Sequence, residues 1–131
     1  MREVFTQLTQ KQLQFPSRKL PVKDYEEGTV RLIDPATVIC VERKDRRVVL
    51  RTQDKEFPTY FTIERLAQRL ADEHFFRANP GALINMAYVS HLIPNGDGSY
   101  DALLNDEAGE TVSVITVSRS RAKALFDQLG M

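Results

Sequence analysis

The chain alternates short apolar stretches with polar, turn-forming clusters, and most of those stretches have the length of a β-strand. Thr29-Val30-Arg31-Leu32-Ile33 reads as a strand, followed by a turn at Asp34-Pro35-Ala36, where proline presets φ. Thr37 to Glu42 is a second strand, nearly continuous in apolar residues and therefore expected to be buried on both faces. Lys44-Asp45-Arg46 is a tight polar hairpin tip, and Arg47 to Thr52 returns as a third strand. Glu56 to Tyr60 contains Pro58, which lacks an N–H for a ladder and so confines that piece to an edge or a bulge. The period then changes. Thr62 is a good helix N-cap, and Ile63, Leu66, Ala67 and Leu70 fall at i, i+3, i+4 and i+7 on one helical face. His74 to Arg77 is expected to be extended, Asn79-Pro80-Gly81 to break the chain, and Ala82 to Asn85 to form a single turn. Tyr88 to Ile93 reads as a strand ended by Pro94, and Asn95-Gly96-Asp97-Gly98 as a loop that supplies positive-φ positions. Tyr100 to Leu104 and Thr111 to Val117 make a final hairpin. Ser118 caps a last helix from Arg119 to Leu129, with Ala122, Leu125, Phe126 and Leu129 on one face.

The first 28 residues have a different pattern. Val4, Phe5 and Leu8 share one helical face, which predicts a short amphipathic helix within Arg2 to Gln14. Pro16 ends it, and Pro16 to Pro21 reads as an extended connector. The expected organisation is an N-terminal helical extension and connector over residues 1–28, then one domain over 29–131. The expected fold class is mainly β with short helices, an α+β arrangement. The 42% of hydrophobic residues suffices for a packed core. No apolar run approaches the ~20 residues of a membrane span, and the N-terminus lacks the apolar stretch of a signal peptide. A single cysteine, Cys40, excludes an intramolecular disulfide and a Cys-based zinc cage. A cytoplasmic, reducing location is the expectation.

Charge sharpens this picture. Lys and Arg total 18, as do Asp and Glu, so the formal net charge is zero. That balance argues against a general polyanion binder and leaves only local basic surface. Two local clusters exist: Arg43, Lys44, Arg46, Arg47 and Arg51 around the single acid Asp45, and Arg119, Arg121 and Lys123 with no acid between Thr111 and Phe126. The acids Asp97, Asp101, Asp106, Glu107 and Glu110 are expected on other turns. Enzyme signatures are missing. His74 and His91 stand far apart, with no second ligand at a metal-like spacing, and Cys40 sits mid-strand as a small hydrophobe. The Asn95–Gly98 loop lacks the ligand series and terminal Glu of a calcium loop, and the Lys-Ser/Thr of a phosphate loop. No catalytic residue, metal site or cofactor is expected.

Against this background a family resemblance emerges over about 100 residues, from Thr29 to Leu129. Val38-Ile39-Cys40-Val41-Glu42 is similar to the "I-x-Y-I-E" strand of LytTR-type DNA-binding domains, found in bacterial transcription regulators. Phe75-Phe76-Arg77, followed by Asn85, resembles that family's "F-x-R-x-H-x-S-x-L-V-N" segment, with a helix correctly placed before it. Val117-Ser118-Arg119, leading into an amphipathic helix, resembles its terminal "V-S-R" motif. The resemblance implies elongated strands whose connecting loops enter successive DNA grooves. Three loops would then approach DNA: the tip with Lys44, Arg46 and Arg47, the segment with Arg77 and Asn79, and the helix start with Ser118, Arg119 and Arg121. Arg46 or Arg47 would be the residue entering the groove. An arginine fork matches guanine O6 and N7 and also grips phosphate, and a helix start with Ser118 suits a phosphate oxygen. The chain departs from the family at Asn79-Pro80, where the family usually has His followed by a basic or polar residue. Arg77 has an equal alternative as a structural ion pair, and Asn85 reads as an amide satisfying backbone groups.

The function implied is a sequence-specific DNA-binding transcription regulator with double-stranded DNA as its partner. The resemblance further implies two copies on direct repeats, a membrane-bound inhibitor protein as a partner, and homodimerisation or docking through the N-terminal helix. The chain is too short to include a phosphorylatable receiver domain, so it is expected to be a stand-alone, response-regulator-like protein or a fragment. A LytTR-like protein-interaction module with little DNA binding is the alternative, motivated by the zero net charge and by Asn79-Pro80.

Overall fold

The computed structural model describes residues 19–131, and the amphipathic helix expected within Arg2 to Gln14 lies outside them. Among the described residues there are ten strands and two α-helices. The strands are β1 (Leu20–Asp24), β2 (Thr29–Ile33), β3 (Cys40–Lys44), β4 (Arg47–Arg51), β5 (Glu56–Pro58), β6 (Phe75–Asn79), β7 (Ala82–Asn85), β8 (Val89–Pro94), β9 (Tyr100–Asn105) and β10 (Thr111–Val117). Helix α1 (Ile63–Arg69) lies between β5 and β6, and α2 (Arg119–Gln128) follows β10. No described helix is long and apolar enough to cross a membrane.

A five-stranded antiparallel sheet in the order β5-β4-β3-β7-β6 forms the middle layer. Strand alternation sends its side chains to two separate cores. Val41, Leu50, Phe57 and Leu83 meet Ile63, Leu66 and Leu70 from the α1 region, together with Leu20 and Val22 of β1. Cys40, Phe76, Ala82 and Ile84 meet Ala102, Leu104, Ile115 and Val117 of the β8-β9-β10 meander, and Leu125 of α2. The Thr37–Glu42 stretch supplies both cores, which explains its near-continuous apolar run. Burial pushes the Cys40 thiol up to about 11, so it remains a protonated hydrophobe at neutral pH.

Two local expectations are replaced by strands. Ala82–Asn85, expected as a turn, is β7, paired with β3 through Cys40↔Ile84 and Val41↔Leu83 and with β6 through Phe76↔Ile84. Four apolar-rich residues carry no decisive periodicity, and burial on both faces decides for the strand. Leu20–Asp24, expected as connector, is β1. It pairs with β2 from Leu20↔Ile33 to Asp24↔Thr29 and buries Leu20 and Val22. Pro21 is tolerated because β1 belongs to a two-stranded hairpin. The division expected between residues 28 and 29 therefore falls in the β1–β2 turn, at Gly28 with φ +68°. Tyr88, expected in a strand, ends a 3-10 turn, Met86–Tyr88, that precedes β8.

Helix capping follows the sequence at α1, where the Thr62 hydroxyl accepts from the Arg65 N–H at 3.1 Å. At α2, Ser118 occupies the N-cap position, but its hydroxyl faces that of Ser120 at 3.2 Å instead of a backbone N–H. Asn85 is buried and joins distant segments. Its Nδ2 donates to the Val38 carbonyl at 2.9 Å and its Oδ1 accepts from the Ala87 N–H at 3.0 Å. Replacing it leaves a buried carbonyl unpaired. Asn85→Ala is expected to cost about 1–3 kcal/mol, read by equilibrium urea unfolding.

Candidate nucleic-acid interface

Antiparallel pairing brings chain segments that are far apart in sequence to one edge of the sheet. The β3–β4 tip lies beside the β6–β7 turn, because the Arg43 N–H donates to the Gly81 carbonyl at 2.9 Å. The end of β6 meets the start of α2: the Ser118 N–H donates to the Ala78 carbonyl at 2.9 Å, and Asn79 Nδ2 to the Thr116 carbonyl at 2.7 Å. The β8–β9 loop closes the row, since Tyr100 at its base pairs with Val117. All eight residues singled out in the sequence, Lys44, Arg46, Arg47, Arg77, Asn79, Ser118, Arg119 and Arg121, therefore sit at or near this edge.

Their chemical states differ. Lys44 turns back onto the sheet, with Nζ 2.6 Å from Glu56 Oε2 and 3.8 Å from Glu42 Oε2, and the Glu56 hydrogen bond raises its pKa. Arg77 donates from Nη2 to the Pro80 carbonyl at 2.7 Å and lies 3.9 Å from Glu64 of α1, which also sits 3.7 Å from Arg43. One carboxylate thus serves two arginines, and Arg77 has the structural ion pair that the sequence left open. Asn79 is fully engaged, donating to Thr116 while its Oδ1 accepts from the Gly81 N–H at 2.8 Å. Arg121 donates from Nε to the Arg77 carbonyl at 3.0 Å and stacks over Phe76, 4.7 Å from the ring centroid. These four side chains shape the edge. Arg46, Arg47 and Arg119 are exposed and form no ion pair with any described residue.

Two neighbours of these arginines were not visible in the sequence. Asp97, expected on a turn away from the basic clusters, shares the edge with Arg119. The meander returns the β8–β9 loop to the end where β10 finishes, and only pairing reveals that. Hydrogen bonds from Ser99 hold the Asp97 carboxyl below its usual range, with a smaller contribution from Arg119. Gly98 packs under Arg119 with φ +95°, and a methyl group there would lie 2.6 Å from the Arg119 Cγ and Cδ. The Gly in that loop was legible as a turn residue, but its close approach to a side chain 21 positions away was not.

The tip itself is strained. Asp45 and Arg46 have φ +49° and +71°, and Lys44 pairs with Arg47 across them. Positive φ at both central residues is the type I′ hairpin, whose second position favours glycine. An arginine there stores unfavourable backbone energy and projects its guanidinium from the end of the hairpin, a pattern associated with functional positions.

A family model described as the LytTr DNA-binding domain matches residues 28–130. The chain is 28% identical over 130 residues to a sensory transduction protein LytT of Oceanobacillus iheyensis, covering 98% of this chain and 51% of that protein. It is 25% identical over 97 residues to the LytT of Bacillus subtilis, covering 74% of this chain and 38% of that protein. The chain thus spans about half the length, or less, of the curated relatives it matches. Its fold is similar to that of a solved LytTr DNA-binding domain from Bacillus cereus, with a TM-score of 0.74 at 15% identity over 86% of this chain and 97% of that one. Arg46→Gly is expected to raise stability by about 1 kcal/mol in urea unfolding by relieving the left-handed arginine, whereas Arg47→Gly, in a strand, is expected to lower it.

Proposed function

The chain belongs to the LytTR family of DNA-binding domains, and on that premise we propose that it binds duplex DNA sequence-specifically through the edge described above, as a transcription regulator. The observation that carries this reading is the convergence of the β3–β4 tip, the β6–β7 turn and the α2 start on one edge, with Arg46, Arg47 and Arg119 exposed. The tip arginines enter one groove and Arg119 the next, each offering a planar fork to a guanine edge or a phosphate. Ser118 and the first N–H groups of α2 hold a phosphate oxygen, a role suited to unpaired helix-start donors. Arg77, Asn79, Arg121 and Lys44 act through shape: they fix the turn and the helix start from which the contacting groups project. Such a surface works in a chain of zero net charge because contacts and fields are local. The same balance gives weak nonspecific binding.

The named relatives are sensory transduction proteins, which favours a regulator that responds to a signal in the cytoplasm. Two copies on direct repeats, a membrane-bound inhibitor protein, and dimerisation through residues 2–14 complete the proposal. A protein-interaction role draws support from one feature: Asn79 and Arg77, central to the family's DNA-contacting segment, are occupied by internal bonds.

Fluorescence-anisotropy titration against a pool of genomic fragments, repeated at several salt concentrations, separates the two readings. A DNA regulator yields a preferred site and an affinity that falls with salt, whereas a protein module yields neither. On the preferred site Arg119→Ala is expected to cost about 1–3 kcal/mol of binding; an unchanged affinity would remove Arg119 from the interface.

A further inference from the structure

Beyond the three loops, the edge continues past β4 into a cleft of about 370 Å³ between the β1–β2 hairpin, the β3–β4 tip and the β5–α1 loop. Among the described residues, Lys23, Arg43, Arg46 and Arg47 line it, and no carboxylate does. In a chain with as many acids as bases, four cations around one cleft make a local anion-attracting field. Arg43 is partly neutralised by Glu64 at 3.7 Å, so Lys23, Arg46 and Arg47 set that field.

Lys23 is placed there by long-range structure. The Val22↔Thr59 bridge fastens β1 beside the end of β5, which brings Lys23 next to Tyr60. The Lys23 ammonium lies over the Tyr60 ring, 4.6 Å from its centroid. A ring face orients a cation without cancelling its charge, unlike the carboxylates that hold Lys44. Tyr60 itself is 56% exposed and lines the same cleft. The cleft shares a wall with the tip, because Arg46 and Arg47 line it.

A loop that enters a DNA groove has a phosphodiester strand on either side, with one charge per about 1.7 Å of duplex. We infer that this cleft seats the backbone phosphate flanking the groove entered by the β3–β4 tip, with Lys23 as the contacting cation and Tyr60 as its positioning residue. The inference rests on the DNA-binding reading above and extends it to the β1–β2 hairpin, to which no motif in the sequence pointed. A phosphate contact carries no base information, so it contributes equally on any sequence.

The test compares the full chain with Lys23→Gln, Lys23→Arg and Arg119→Ala, each first checked for native circular dichroism, by anisotropy on the preferred site and on a scrambled duplex. Lys23→Gln is expected to weaken binding to both duplexes by the same factor and to reduce the slope of log affinity against log salt by about 0.9, one phosphate's share. Lys23→Arg restores both quantities, and Arg119→Ala weakens mainly the preferred site. A duplex with one uncharged methylphosphonate beside the tip's groove weakens the unmodified chain and leaves Lys23→Gln unaffected. If Lys23→Gln keeps the affinity and slope while Arg119→Ala loses affinity, the cleft is not a phosphate seat and the DNA-binding reading stands. Loss of affinity without a change in slope likewise overturns the phosphate contact. An unmodified chain with no salt-dependent binding overturns both readings.

Discussion

Antiparallel pairing along β3 is the constraint on which the rest of the molecule depends. β3 is hydrogen-bonded on one side to β4 and on the other to β7, and its side chains alternate between two cores. Its register puts Arg43 beside Gly81, so the β3–β4 tip and the β6–β7 turn emerge from the same end of the sheet. Every long-range feature of the candidate interface follows. β6 carries the α2 start through the Ala78 and Thr116 carbonyls, and α2 brings Arg119 to the β8–β9 loop. The apolar cores on both faces hold this register, because a one-residue slip would turn each buried side chain into the wrong layer.

The edge divides labour between cations that build it and cations that are offered to solvent. Lys44, Arg77 and Arg121 are held by Glu56, the Pro80 and Arg77 carbonyls, Glu64 and the Phe76 ring. Arg46 stands on a backbone with positive φ, where glycine would be more stable. A protein selected for stability alone has little reason to keep arginine there. The strain is stored locally and is offset by the packed sheet beneath it.

The equal counts of acids and bases conceal this arrangement. Glu42, Glu56 and Glu64 lie close to the basic clusters and neutralise the cations that shape the edge. A neutral total therefore reflects pairing at this edge as well as separation from it. Asp97, beside Arg119, tempers the field at one end of the row, while the cleft near Lys23 has no carboxylate among the described residues that line it. The field of such a surface is local, and depends on a few placed groups.

By itself the sequence determined the elements whose signals are local. Thr62 and the i, i+3, i+4, i+7 stripe announced α1, the polar Lys44-Asp45-Arg46 tip announced the β3–β4 hairpin, and Pro58 announced an outer strand. Ordered motifs pointed to the family, and the arginines of three loops were nominated from them. Tertiary structure alone decided what depends on partners distant in the chain. Ala82–Asn85 is a strand because β3 and β6 flank it, and Leu20–Asp24 is a strand because β2 and the core claim Leu20 and Val22. Which cations are free was likewise illegible, since Glu64, Asn79 and Gly98 reach their partners through pairing and packing. Periodicity and capping act over a few residues, whereas register and charge pairing are set by chain segments tens of residues apart, and only the folded chain brings those together.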